Sequence, residues 1–455
     1  MEGHSIYVVS FNCGRTQISA NKFASYIFYA LSDSSRPPQF LVLCLQEIAP
    51  IAHSFIGGSL LEPYLKKFEQ AVDIAASSLQ NSSYVKVASQ NVGMTGILVF
   101  VLKDQIMNIE SLETAEVGVG LWEMGNKGAA GVRISYNVGN HTKTTMKFVA
   151  AHLAAMEWDV ERRNEDWKNI VRRLVFEPVG RSKAPAEEQN TDNDHMDSET
   201  APLISQNVSS EPRSESAQIG MYEPSSHLVF AGDLNYRTAS SSPSLTDTFS
   251  FPQPSEDESY PRHYWHLLSS DQLAAEMKAG RTCHGLKEAP IDFPPTYKYS
   301  DTARQKIASA EVKSEDMDRV DEGKWYWSDH RWPSWCDRVL YLDSPPWLNE
   351  GKVVVSGYTA LPLLSSSDHR PVACALEIPA VVIAKPNEQQ EDVRYNPPFE
   401  IDPAWKQRRR IARRKEILIG VFALLTTTQE ALWIFSVIVV FLILLWTGLF
   451  FAGSL

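Results

Sequence analysis

Residues 227–235 read HLVFAGDLN, an apolar strand that breaks at Gly232 and ends in a carboxylate and an amide two residues apart. Positions i and i+2 of an extended chain face the same side, so Asp233 and Asn235 project together from the strand end. The pattern recurs elsewhere. SIYVVSFN runs into Asn12, FLVLCLQE into Gln46 and Glu47, MKFVAAHL delivers His152, and SSSDHRPV carries Asp368 and His369 into the apolar PVACALEI. Apolar β-rich runs alternate with longer mixed segments, which predicts a layered α/β protein. One polar strand end is an ordinary surface group, whereas five meeting at one edge make a site.

The residue types suit one chemistry. Glu47 with Asn12 supplies hard oxygen ligands of the kind that hold Mg²⁺ with most of its waters retained. Asp233 is placed to take a proton from an attacking water, and Asn235 to donate to a phosphoryl oxygen. Asp368 beside His369 is an acid–imidazole pair, and His152 completes the cage. Together they fit metal-assisted hydrolysis of a phosphate ester. No Cys-x5-Arg loop, P-loop or HExxH motif is present to support a rival phosphoryl mechanism.

Charge is unevenly placed along the 455 residues. The net charge is −12, yet residues 406–455 carry +5 and residues 1–405 therefore −17. So acidic a body does not suit nucleic-acid binding, and any phosphate must be met by a local basic pocket. The five cysteines are scattered without C-x-x-C spacing, which argues against a disulfide framework or a zinc site. No signal peptide is visible at the N-terminus, nor any sign of an obligate protein partner.

Two stretches read as unstructured. Residues 186–218, within an insert of about 180–224, are rich in Ser, Asp and Glu and lack aromatics. Residues 380–405, with four prolines, read as a linker. Its coil span would be roughly 30 Å, and its stretched limit about 85 Å. Beyond it, KQRRRIARRK (406–415) is a basic run suited to an anionic membrane surface, and 431–452 is an uncharged apolar run. At about 1.5 Å per residue that run spans a bilayer core. The positive-inside rule then puts the body in the cytosol. The expectation is a catalytic domain (1–379), a linker (380–416) and a tail anchor (417–455).

The chain resembles the inositol polyphosphate 5-phosphatases of the endonuclease/exonuclease/phosphatase superfamily. The matching blocks are FN (11–12), LQE (45–47), GNKGA (125–129), HLAA with ERRNEDW (152–167), FAGDLNYR (230–237), FPPTYKY (293–299), PSWCDRVLY (333–341) and SSDHRPV (366–372). The resemblance implies a two-sheet β-sandwich flanked by helices, with the site at one edge. It implies metal binding by Glu47 and Asn12, and catalysis by Asp233, Asn235, His369, Asp368 and His152. Substrate contacts would come from Lys127, from Tyr297 and Lys298 at the family's 4-phosphate position, and from Arg331. Asn164 would reach the site or orient His152. Trp335 and Arg338 read equally well as structural. Asp329 departs from the family pattern, standing where relatives often have Lys. A catalytic body followed by a tail anchor is similar to yeast-type phosphatidylinositol 4,5-bisphosphate 5-phosphatases. That implies an endoplasmic-reticulum membrane location and a phosphoinositide substrate, possible second substrates being the 3,4,5-trisphosphate and soluble inositol polyphosphates.

Overall fold

The computed structural model describes residues 3–32, 35–139, 142–179, 218–313, 323–345, 347–348, 351–380, 383, 391–427, and single positions between 433 and 443. Two sheets stack face to face. The first has the order β12 (Val354–Ala360), β13 (Val372–Ile378), β1 (His4–Asn12), β2 (Phe40–Gln46), β4 (Thr95–Leu102), β3 (Tyr84–Val92). The second runs β10 (Leu286–Glu288), β11 (Asp337–Leu342), β9 (Ser226–Asp233), β7 (Thr142–His152), β6 (Gly128–Gly139), β5 (Ile109–Gly118), β8 (Glu177–Pro178). The pairs β1/β2 and β7/β9 are parallel, and the other pairs antiparallel.

Strand periodicity explains the layering. In β1, Ile6 and Val8 point between the sheets with Phe40, Val42, Val132, Ile134 and Phe148. The alternate residues Tyr7, Val9 and Phe11 face outward under α1 (Ala20–Tyr26) and α3 (Glu62–Ser78). On the far side, Val149, Ala151 and Phe230 pack beneath Trp167 and Ile170 of α4 (Val160–Arg173). Strands apolar on both faces are what this double covering requires. The expected helix-flanked two-sheet sandwich is therefore what the chain forms.

The region read as a linker behaves differently. Arg394 is buried, donates to the carbonyls of Ser226 (2.9 Å) and Asp343 (2.6 Å), and pairs with Asp392 at 2.9 Å. Phe399 meets the ring of His284, and Ile401 covers Gly220. The apolar residues between the prolines strap this segment to the body. It leads into one helix, Trp405–Thr427, numbered α8 here because α2 (Ile51–Ile56), α5 (Tyr264–Leu268), α6 (Gln272–Lys278) and α7 (Asp301–Lys313) precede it. Much of the basic run is spent on the body rather than left free. Arg408 pairs with Glu123 (2.9 Å) and Asp402 (3.0 Å), Arg409 with Glu116 (2.7 Å), and Lys406 with Glu177. Arg410, Arg414 and Lys415 have no ion pair among the described residues.

Among the described residues no helix is long and apolar enough to cross a membrane. The 431–452 run lies almost wholly outside them, as does 186–217 of the insert. The end of the insert is ordered, since Ile219 bridges Phe176, Met221 and Tyr222 are buried, and Glu223 pairs with Arg133 at 2.9 Å.

Candidate active site

Register builds the centre. In the second sheet His152 of β7 and Asp337 of β11 both lie opposite Asp233 of β9. Three polar groups thus stand side by side at one sheet end. Gly232 makes the approach possible, because a Cβ there would sit 1.9 Å from the Ala151 carbonyl oxygen. In the first sheet Asn12 lies opposite Gln46, and β13 begins three residues after His369. Asn12 Nδ2 donates to Asp233 Oδ2 at 2.9 Å, which ties the two sheets together at this edge. Glu47 and Asn235 turn in the left-handed region (φ 45° and 57°), a strain of about 1–3 kcal/mol each that functional positions often carry.

Asp233 accepts from Asn12, from the Asn235 amide (3.1 Å), and faces His152 Nε2 at 3.3 Å. Burial alone would protonate it. The His152 hydrogen bond and the charges of His369 and Lys127 outweigh burial and hold the carboxyl well below the usual range. Lys127 touches His152 Nε2, and burial lowers the ammonium's pKa. His152 is driven down by burial and then by Lys127.

His369 Nδ1 is 2.9 Å from Asp337 Oδ2, and Thr296 donates to the same oxygen at 2.7 Å. Burial opposes the imidazolium, yet Asp337, Asp233 and Asp368 together lift His369 to about 9. Burial and Asp233 also push Asp337 upward, but the imidazole faces three carboxylates and keeps the proton. His369 Nε2 then points its N–H toward Asp233, 4.0 Å away.

Sequence reasoning paired His369 with its neighbour Asp368. The structure instead gives Asp337 that position, while Asp368 forms a 2.9 Å ion pair with Lys298 at the mouth. The signal for Asp337 was the WCDR block, whose Trp and Arg drew attention and whose Asp did not. Arg237 was also missed. Its guanidinium lies 4.4 Å from the Tyr297 ring centre and bonds both the carbonyl and Oδ1 of Asn235. Tyr297 in turn packs on His369 at 4.4 Å between centroids, so it buttresses the imidazole. Arg331 lies at the rim, near Met156 and Ser242. Asn164 does not reach His152; it donates to Glu276 (2.7 Å) and accepts from Tyr236 (2.7 Å) in the α4–α6 interface.

Trp335 and Arg338 are structural. Trp335 donates to the Phe293 carbonyl at 2.9 Å, and buried Arg338 binds Asp271 (3.0 Å) and Glu288. Arg338→Ala leaves buried carboxylates unpaired, so it is expected to cost about 3–5 kcal/mol in a urea melt.

The residues fit a hydrated divalent cation. Glu47 Oε2 is taken by Arg15 at 2.7 Å, and its carboxylate is kept ionised against burial by His152, Lys127 and Arg15. Beside it both amide atoms of wholly buried Gln46 lack a partner among the described residues, as does His152 Nδ1. Such orphans suit ordered waters of an ion that keeps its hydration shell. The Asp233, Asp337 and His369 atoms also lie within 4.8 Å of one another. His369 Nδ1 is engaged by Asp337 Oδ2 at 2.9 Å, so that cluster reads as an acid–imidazole dyad beside a carboxylate. An open cleft of about 840 Å³ adjoins Lys298 and Asp368, with Arg262, Trp325 and Asp329 in its wall.

Comparisons with known proteins show the family and the fold. The profile of endonuclease/exonuclease/phosphatase family 2 matches residues 9–375. The chain is 28% identical over 320 residues to type II inositol polyphosphate 5-phosphatase 15 of Arabidopsis thaliana, covering 69% of this chain and 26% of that protein. It is 30% identical over 321 residues to the type I enzyme 13 of the same plant, with 69% and 25% covered. It is 28% identical over 302 residues to phosphatidylinositol 3,4,5-trisphosphate 5-phosphatase 2B of Danio rerio, with 66% and 19% covered. The chain thus spans about a quarter or less of these relatives' length. The crystal structure of the inositol polyphosphate 5-phosphatase domain of SPsynaptojanin, bound to inositol (1,4)-bisphosphate and calcium, superposes with a TM-score of 0.55 at 21% identity. The match covers 91% of this chain and 93% of that one, and shows the shared fold.

Proposed function

The chain belongs to endonuclease/exonuclease/phosphatase family 2, and on that footing we propose that it removes the 5-phosphate of phosphatidylinositol 4,5-bisphosphate at a membrane surface, with Mg²⁺ as cofactor. The observation that carries the reading is the pairing of a hydrolytic centre, Asp233 with the His369–Asp337 dyad, and a cationic mouth at Lys298 and Arg331. The relatives' names favour inositol phosphates over other esters. The 3,4,5-trisphosphate is a second candidate substrate.

Each residue has a defined task. Ionised Asp233 accepts the proton of a water lined up behind the phosphorus. His369 and Lys127 place positive charge on the phosphoryl oxygens, where negative charge grows. One Asn235 amide proton is held by the Leu153 carbonyl at 3.1 Å, leaving the other for the phosphate. A divalent ion held by Glu47 and Asn12 would neutralise further charge on the reacting phosphate. Lys298 meets a second ring phosphate, exchanging its Asp368 partner for it.

Membrane action draws support from two sides. The apolar run 431–452 and the remaining free cations of 406–415 suit a tail anchor facing an anionic leaflet, with the body cytosolic on the endoplasmic reticulum. Leu121, Trp122 and Trp158 are each about 60% exposed on loops flanking Lys127 and His152. Exposed indoles beside a site suit a lipid interface.

Turnover of vesicle-borne lipid and of the free inositol trisphosphate headgroup decides between the lipid reading and a soluble-substrate enzyme. The lipid reading expects kcat/KM to be higher on vesicles; higher values on the headgroup favour the alternative. In the same panel Lys298→Ala is expected to raise KM about tenfold for substrates with a 4-phosphate and hardly at all for those without it.

A further inference from the structure

We infer that Glu416, on the C-terminal helix α8, is a positioning residue for the catalytic face, holding the loop that carries Lys127 and, through it, the turn that carries Glu47. The inference rests on the phosphatase reading for its substrate but on packing alone for its mechanism.

Glu416 is fully buried. Arg409, about two turns earlier on the same face, grips both its oxygens at 2.7 and 2.9 Å, and Arg409 Nε also binds Glu116 of β5 at 2.7 Å. The carboxylate has a further partner outside its own helix: Oε1 accepts the Gly125 amide at 2.8 Å, two residues before Lys127. From there a chain of backbone bonds runs inward. The Gly125 carbonyl accepts the Met94 amide at 2.9 Å, and the Met94 carbonyl accepts the Ile48 amide at 3.3 Å. Ile48 follows Glu47.

The contact is too close to slip. A Cβ on Gly93 would lie 2.4 Å from the Gly125 oxygen, and one on Gly125 would lie 2.7 Å from the Gly93 nitrogen. Ile419 of α8 packs on Phe55, Met94 and Met124, while Arg413 donates to the Ile56 carbonyl at 3.0 Å. These apolar contacts would suffice to dock a helix. Burying a carboxylate as well is costly unless its geometry is put to use. Here it makes a charge-assisted bond to one amide of the catalytic loop. The helix that leads toward the apolar tail and the groups that meet phosphate and metal therefore move as one unit.

The test uses the full chain in detergent micelles, the free headgroup as substrate, and amide hydrogen exchange. Glu416→Ala is expected to raise KM about tenfold with a smaller fall in kcat, and to speed exchange at 120–127 and 47–49. Glu416→Gln, which still accepts from Gly125, is expected to return KM to within about threefold. Phe399→Ala loosens the strap away from the site, and is expected to lower Tm with KM and exchange at those loops unchanged. A folded Glu416→Ala with wild-type KM and exchange overturns the inference. So does an equal rise in KM from Phe399→Ala. If the wild type leaves both the headgroup and vesicle-borne phosphatidylinositol 4,5-bisphosphate intact while Glu416→Ala still speeds exchange at 120–127, the substrate reading fails and the positioning inference stands.

Discussion

Asp233→Asn is expected to lower kcat by about 10³-fold or more, with Tm within a few degrees of wild type and KM within about threefold. Asn12, His152 and the Asn235 amide all converge on this carboxylate. An amide of the same shape must turn its NH₂ toward one of these donors, and it cannot accept a proton. It also removes one of the charges that balance Lys127 and His369. Steady-state phosphate release with a parallel thermal melt reads both effects. A folded variant within tenfold of wild type would remove Asp233 from the chemistry.

Asp337→Asn is expected to lower kcat about 10²–10³-fold and to move the alkaline limit of activity. The sign follows from His369. Its pKa stands at about 9, so the imidazolium persists through neutrality and is lost as pH rises through about 9. Removing Asp337 deletes the largest force holding it up and leaves Asp233 and Asp368 alone against burial, which favours the neutral ring. The alkaline limb of kcat/KM should then fall from near pH 9 toward the ordinary His range near 6.5. Asp368→Asn makes the contrast, because Asp368 is tied to Lys298 and adds the smallest of the three carboxylate contributions. It should shift the limb only slightly. Equal shifts from both variants would contradict the dyad assignment.

What the sequence disclosed follows from how local each signal is. The strand ends were legible because an apolar run that stops at Asn12, Glu47, His152 or Asp233 carries its message within ten residues. Their convergence is a matter of register, which sets His152 of β7 and Asp337 of β11 opposite Asp233 of β9. Adjacency misled at His369. The neighbouring Asp368 turns to Lys298, whereas the true partner lies 32 positions away on β11. Asn164 sat in a motif that suggested the site, but its place on α4 directs it to Glu276 and Tyr236. The prolines of 380–405 suggested a free tether; Arg394, Phe399 and Ile401 show that a few anchors suffice to bind residues 391–404 of it down. Glu416, one acid in a basic run, could not be read as buried until the Gly125 amide was seen against it.

The most direct test of the account is the identity of the product. The full chain with Mg²⁺ and inositol 1,4,5-trisphosphate should release one phosphate and leave the 1,4-bisphosphate, and removing the metal with a chelator or substituting Asp233→Asn should abolish the reaction. Loss of the 4- or 1-phosphate instead, or no release by a folded protein with Mg²⁺ present from either this headgroup or vesicle-borne phosphatidylinositol 4,5-bisphosphate, would contradict it.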